Sequence, residues 1–101
     1  MFEVCAVTSV TSGHDGCGPV KVITGSPIMS IEGCPVARIG DICEDHGCIS
    51  HITHTPVITE GSSILIVDGI PVARVGNAVA GGGCTAEHVL AQGKPFVSVE
   101  K

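Results

Sequence analysis

One segment of this chain is written twice. ITGSPIMSIEGCPVARIGD (residues 23–41) recurs as ITEGSSILIVDGIPVARVGN (residues 58–77), with Gly33 and Gly69 36 residues apart. A shorter third copy, LAQGKPFVSVEK, begins at Leu90, and its Gly93 follows Gly61 by 32 residues. A repeat restricts the fold more than any composition does, because each copy must be built the same way and must bury its apolar face against its neighbours. The copies read as strand, Gly turn, strand, Glu-Gly or Asp-Gly turn, strand. The second strands fall at residues 28–31, 64–67 and 96–99. Glu32-Gly33 and Asp68-Gly69 are tight-hairpin signals, since glycine accepts a positive φ. The third copy stops at its second strand. Pro35 and Pro71 have no N–H to donate to a ladder and belong at strand starts or edges.

The side chains agree with a mostly β chain. Two Phe with no Tyr or Trp leave Val, Ile, Ala and Cys as the apolar stock, and 14 Gly and 6 Pro mark turns. Small and β-branched residues suit pleated, narrow interiors. A single domain of 101 residues with so few rings builds only a modest core, so another cross-link is expected to stiffen it.

Function classes fall away on charge. A net charge of −5 with five Lys and Arg opposes nucleic-acid binding, which needs a basic face. No apolar run reaches membrane-spanning length, and no signal peptide is visible at the N-terminus. Folding in a reducing cytoplasm is the expectation, where clustered Cys read as metal ligands or buried thiols. Six Cys (Cys5, Cys17, Cys34, Cys43, Cys48, Cys84) and five His (His14, His46, His51, His54, His88) are present. All five His lie in Gly-rich stretches between the copies, residues 9–18, 42–55 and 78–88, which read as loops. Long loops in so small a domain need something to tie them down. Three loops from three like repeats can meet at one pole, and the His and Cys residues are there.

The paired Pro35-Val36-Ala37-Arg38-Ile39-Gly40-Asp41 and Pro71-Val72-Ala73-Arg74-Val75-Gly76-Asn77 resemble the Pro-Ala-Ala-Arg signature of PAAR-repeat proteins. The likeness extends over nearly the whole chain, from Cys5 to Val99. It implies a three-repeat cone, a pseudo-threefold pyramid of short β-hairpins with a metal near the apex, made of one domain over residues 1–101 with repeats near 14–41, 46–77 and 84–101. Carried over position by position, the resemblance implies one structural Zn²⁺ held by His14, His46, His54 and Cys84. His51 is the rival to His54, and Cys84 follows Gly81-Gly82-Gly83 where the family has Cys-Gly. Four protein ligands leave no open position, as in a structural site and unlike a catalytic one, and a thiolate in a closed tetrahedron suits zinc better than iron. Zinc of this kind contributes on the order of 10 kcal/mol to folding.

What the resemblance implies for function is mechanical. The protein would be a non-enzymatic, monomeric cap on a trimeric spike, VgrG-like in a type VI secretion system or the central spike of a contractile phage tail. It would fold in the bacterial cytoplasm, be delivered outward with the spike, carry separately bound effector proteins and meet the target membrane transiently. The chain ends at Lys101, directly after the third copy, so no C-terminal effector segment is expected. The rival from another class is a small metal-binding protein or metalloenzyme using the His and Cys loops. Remaining cysteines read as buried apolar residues, with Cys17–Cys48 as the alternative disulfide. His88 reads as a surface residue. Arg38 and Arg74, at equivalent positions, read as structural groups bonding carbonyls, Asp41 or a neighbouring turn acid.

Overall fold

The computed structural model describes residues 1–12, 19–44, 46–48, 51–80 and 88–101, with the side chains of 46–48, 51–54, 88 and 96 left aside. Among these residues there is no helix. The strands are β1 (Phe2–Val4), β2 (Ser30–Ile31), β3 (Cys34–Pro35), β4 (His46–Cys48), β5 (His51–His54), β6 (Val57–Ile58), β7 (Ile66–Val67), β8 (Ile70–Pro71), β9 (Ala78–Ala80), β10 (His88–Val89) and β11 (Lys94–Val99). All pairings are antiparallel, in several small sheets.

The two hairpins foreseen in the repeats are present. β2 pairs β3 with Ile31 opposite Cys34 and Ser30 opposite Pro35, and β7 pairs β8 with Val67 opposite Ile70 and Ile66 opposite Pro71. Their turns carry φ of 53° and 80° at Glu32-Gly33, and 58° and 75° at Asp68-Gly69. Two successive positive φ values make the type I′ turn that matches strand twist. Pro35 and Pro71 each end a two-residue strand.

A third hairpin of the same register joins the two ends of the chain. β1 pairs β11 with Phe2 opposite Val99 and Glu3 opposite Ser98. The short third copy is thus joined by the N-terminal residues, which stand where residues 34–43 and 70–79 stand in the other copies. The backbone bonds show the equivalence. Cys5 N–H donates to Ala73 O at 2.9 Å, Ala73 N–H to Ala37 O at 2.8 Å and Ala37 N–H to Cys5 O at 3.0 Å, closing a ring of three. The bridges Val4 with Arg74, Ala6 with Val36 and Arg38 with Val72 repeat the same cycle. Sequence comparison of the first two copies does not find this segment, because Val4-Cys5-Ala6 stands where they have Val-Ala-Arg.

The signature residues then acquire a local reason. Residues 6–9, 38–41 and 74–77 are turns closed by N–H to C=O bonds of 2.9, 3.0 and 3.1 Å. The third position of each has positive φ, 83° at Thr8, 92° at Gly40 and 94° at Gly76, as a type II turn requires. The fourth residue is buried and polar, and its side chain accepts the first residue's N–H: Ser9 Oγ from Ala6 at 3.0 Å, Asp41 Oδ2 from Arg38 at 2.7 Å, Asn77 Oδ1 from Arg74 at 2.7 Å. Gly-Asp and Gly-Asn after the arginine are therefore turn chemistry. Gly25, Gly61 and Gly93 form another equivalent trio. A Cβ on any of them would sit within 2.8 Å of the crossing chain, at Pro35, Pro71 and Glu3 respectively.

Beyond the turns, six short segments close into a ring. Residues 10–11 bridge to 21 and 90, residues 42–43 to 57 and 22, and β9 pairs both β6 and β10. A closed ring leaves no free sheet edge. Its inward positions are Thr11, Val22, Cys43, Ile58, Val79 and Leu90, all fully or almost fully buried; with Cys5, Ala37 and Ala73 the apolar ones make one core cluster. The second cluster lies among the hairpins and takes the same positions from each copy: Ile31, Val67 and Val99 with Val36, Val72 and Val4, flanked by Met29, Leu65 and Val97. Each copy supplies small aliphatic side chains near a common axis, which is why two Phe suffice.

Candidate metal centre

The ring determines where the His and Cys stretches leave the fold. Its six segments alternate between chain going out (10–11, 42–43, β9) and chain coming back (21–22, β6, β10), and every neighbour is antiparallel. The three outgoing segments therefore run the same way. The stretches they feed, between residues 12 and 19, 44 and 56, and 80 and 88, all depart from one end of the ring. The hairpins β2–β3, β7–β8 and β1–β11 belong to the connections at the other end.

Residues 42–55 are not a loop throughout, contrary to the sequence expectation. Stem pairing continues outward from Ile42 opposite Val57 into the β4–β5 hairpin, where His46 stands opposite His54 and Cys48 opposite His51. Polar and Gly-rich composition hid this hairpin, which lacks alternating apolar residues and an Asn-Gly or Asp-Gly turn. Its register bears on the third ligand. His54 is the position paired with His46, and His51 is paired with Cys48, two residues farther from the ring along β4.

His14 and Cys84 lie outside the described residues, as do Cys17 and the linking residues 49–50. Their stems are described. Thr11 and Cys43 are equivalent ring positions, and His14 follows the first by three residues as His46 follows the second. Cys84 precedes His88, the first residue of β10, by four. Among the described side chains, no three His, Cys, Asp or Glu residues gather into a metal-binding group. The donor set itself fits a zinc ion: neutral imidazoles and a thiolate, on stretches that depart from one end of the ring, two of them as register partners.

Other chemistry-bearing groups have packing roles. Burial pushes the Cys5 thiol up to about 12 and the Cys43 thiol up to about 11, so both stay protonated and unreactive at neutral pH. Cys5 S–H points to Gln92 O at 3.8 Å. Cys34 is half-buried and free. Arg38 does what its position suggested: Nε reaches Asp41 at 3.3 Å and Nη1 reaches the turn acid Asp68 at 3.0 Å, and Ser26 Oγ donates to the same Asp68 oxygen at 2.7 Å. Arg74 lies 3.9 Å above the Phe2 ring, donates Nη1 to Val75 O at 2.9 Å and keeps a buried Nε unpaired. At the hairpin end Ile28, Ile64 and Ile66 are exposed by 76%, 58% and 51%, an exposed apolar set of the kind that marks an interaction surface. No protein-family model matches the chain, and no curated protein matches it.

Proposed function

We propose that this chain is a PAAR-repeat spike tip: a non-enzymatic cap that sits on the end of a trimeric, VgrG-like or phage central spike and sharpens it for membrane puncture. The observation that carries the reading is the cyclic set of backbone bonds among residues 5, 37 and 73. A monomer folded as three like parts can offer each subunit of a homotrimer a similar face, which removes the symmetry mismatch between one chain and three. The hairpin end, with Ile28, Ile64 and Ile66 exposed, is the docking base in this reading, and the end from which the His and Cys stretches depart is the apex.

A single Zn²⁺ on His14, His46, His54 and Cys84 would cross-link three chain segments that no large core holds together. The protein's own share is to offer His46 and His54 as register partners of one hairpin and to bring the other two stretches out of the same end of the ring. The tip folds in the bacterial cytoplasm, assembles on the spike, binds effectors as separate proteins and leaves the cell with the machine. Capture of the purified chain by isolated trimeric spike ends, from secretion systems and from phage tails, tests the docking: retention on one of them supports it, and failure to bind any sinks it. Zinc analysis of a His54→Ala variant tests the cross-link, which predicts loss of zinc together with loss of thermal stability; a variant that keeps its fold without zinc would refute it.

A further inference from the structure

The β4–β5 hairpin carries more ligating residues than the proposed zinc set uses. His46 and Cys48 are two residues apart on β4, which places them on one face of a strand. Their partners on β5 are His54 and His51. The register shift within the pair puts three residue steps on β5 against two on β4, the signature of an extra residue in one strand. Without that shift, His51 and His54, three apart, would fall on opposite faces; with it, each stands opposite one of the two β4 positions. Four donor-type residues, three His and one Cys, therefore occupy the two register pairs of this hairpin within nine residues of chain.

We infer that this hairpin is a metal-capturing element able to hold a divalent ion of zinc type by itself, with Cys48 and His51 standing in for Cys84 and His14. The inference rests on the reading of His46 and His54 as ligands and extends it to a second donor pair. The rungs have dimensions a small ion can bridge: opposed positions lie about 5 Å apart, successive same-face positions about 6.5–7 Å, and ligand bonds take about 2.0–2.3 Å each. Three imidazoles and a thiolate are the donor composition of a closed zinc site. Locality supplies the advantage. All four donors close short loops, whereas a set reaching from His14 to Cys84 must first bring together residues 70 apart, at a larger entropic cost. The hairpin set thus forms before the ring is complete, captures the ion, and exchanges two of its donors when the other stretches arrive.

Cobalt(II) titration of the full-length chain, read by absorbance, tests this, because a thiolate on cobalt gives a near-ultraviolet charge-transfer band and tetrahedral geometry gives strong visible bands. In the His14→Ala/Cys84→Ser variant one cobalt per chain is expected, with the thiolate band retained. Adding Cys48→Ser to that variant is expected to remove the band. A His14→Ala/Cys84→Ser chain that takes up no cobalt, or a band that survives Cys48→Ser, overturns the inference. If the double variant does not fold by circular dichroism, Cys84→Ser alone decides: retention of the thiolate band supports capture by Cys48, and its loss refutes it. The parent chain separates the two levels. Uptake with a band abolished by Cys84→Ser and untouched by Cys48→Ser sinks the hairpin inference only, and no uptake at all sinks the zinc reading with it.

Discussion

The hairpins β2–β3 and β7–β8 are closed by Glu32-Gly33 and Asp68-Gly69, while β1 and β11 come from opposite ends of the chain, and yet all three pairs have the same register. A two-residue turn normally sets the register of a hairpin. Here the split hairpin keeps it without a turn, so register is enforced from below, by the ring of bonds among residues 5, 37 and 73 and by the aliphatic side chains beneath. The split copy also departs from the others in its details. Thr8 takes the positive φ that Gly40 and Gly76 take in the others. Arg38 reaches Asp68 across the first boundary between copies, whereas Arg74, at the next, rests on Phe2.

The comparison can be broken most severely at the glycines. Gly61→Ala would drive a methyl to 2.7 Å from Pro71 Cβ and 2.9 Å from its carbonyl oxygen. Backbone at a crossing cannot yield, so a loss of about 3 kcal/mol or more is expected in urea denaturation. If register is enforced from below in every copy, Gly93→Ala in the split hairpin should cost as much as Gly61→Ala; a much smaller loss would show that the split copy is merely appended.

Alkaline pH probes the cores of the copies. Cys5 stands where Ala37 and Ala73 stand, and Cys43 where Val79 stands. Burial raises both thiols, from 9.0 to about 12 for Cys5 and about 11 for Cys43. The folded state thus holds protons that the unfolded chain releases. Stability is whole below pH 9 and is lost as pH climbs from 9 toward 11–12, at up to about 1.4 kcal/mol per pH unit for each thiol. Denaturation midpoints across pH 8–11 should fall, and Cys5→Ala/Cys43→Val, which copies the other repeats, should flatten the decline.

The boundary arginines offer a smaller contrast. Asp68→Asn removes the charge that Arg38 and Ser26 share, with Arg38 and Asp68 side chains only 15% and 20% exposed, and should cost about 1–2 kcal/mol. Glu100, the equivalent acid of the split hairpin, is exposed, and Glu100→Gln should stay within about 0.5 kcal/mol. Equal costs would mean that the two boundaries are held alike.

Thr8→Gly carries the opposite sign. A β-branched residue at φ 83° is strained, and glycine relieves roughly 1 kcal/mol of it, less the Lys94 Nζ to Thr8 Oγ1 bond of 3.1 Å that goes with the side chain. A rise in Tm is expected, and a fall would place the value of that bond above the strain.

Much of this was readable in the chain. The Glu-Gly and Asp-Gly hairpins, the prolines on edge strands, the buried Cys5 and Cys43 and the structural arginine at Arg38 follow from residue types whose preferences act over two to five positions. The β4–β5 hairpin was not readable, because His, Gly and Thr carry no strand periodicity and its pairing extends a stem that belongs to the ring. Nor was the place of Phe2–Thr11, since Val4-Cys5-Ala6 has the shape of the repeat without its letters.

The sequence by itself determined the local parts of the repeating unit: a type I′ hairpin, and an Arg-x-Gly-Asp/Asn turn whose last side chain caps its own backbone. These are local rules of φ, hydrogen bonding and side-chain size. Only the tertiary structure decided how many units close and which ends of the chain close them, because the bonds that do so, from Cys5 to Ala73 and from Ala37 back to Cys5, join residues distant in sequence. The same closure sends the His and Cys stretches out of one end, through the alternation of antiparallel neighbours around a ring and through no motif of their own.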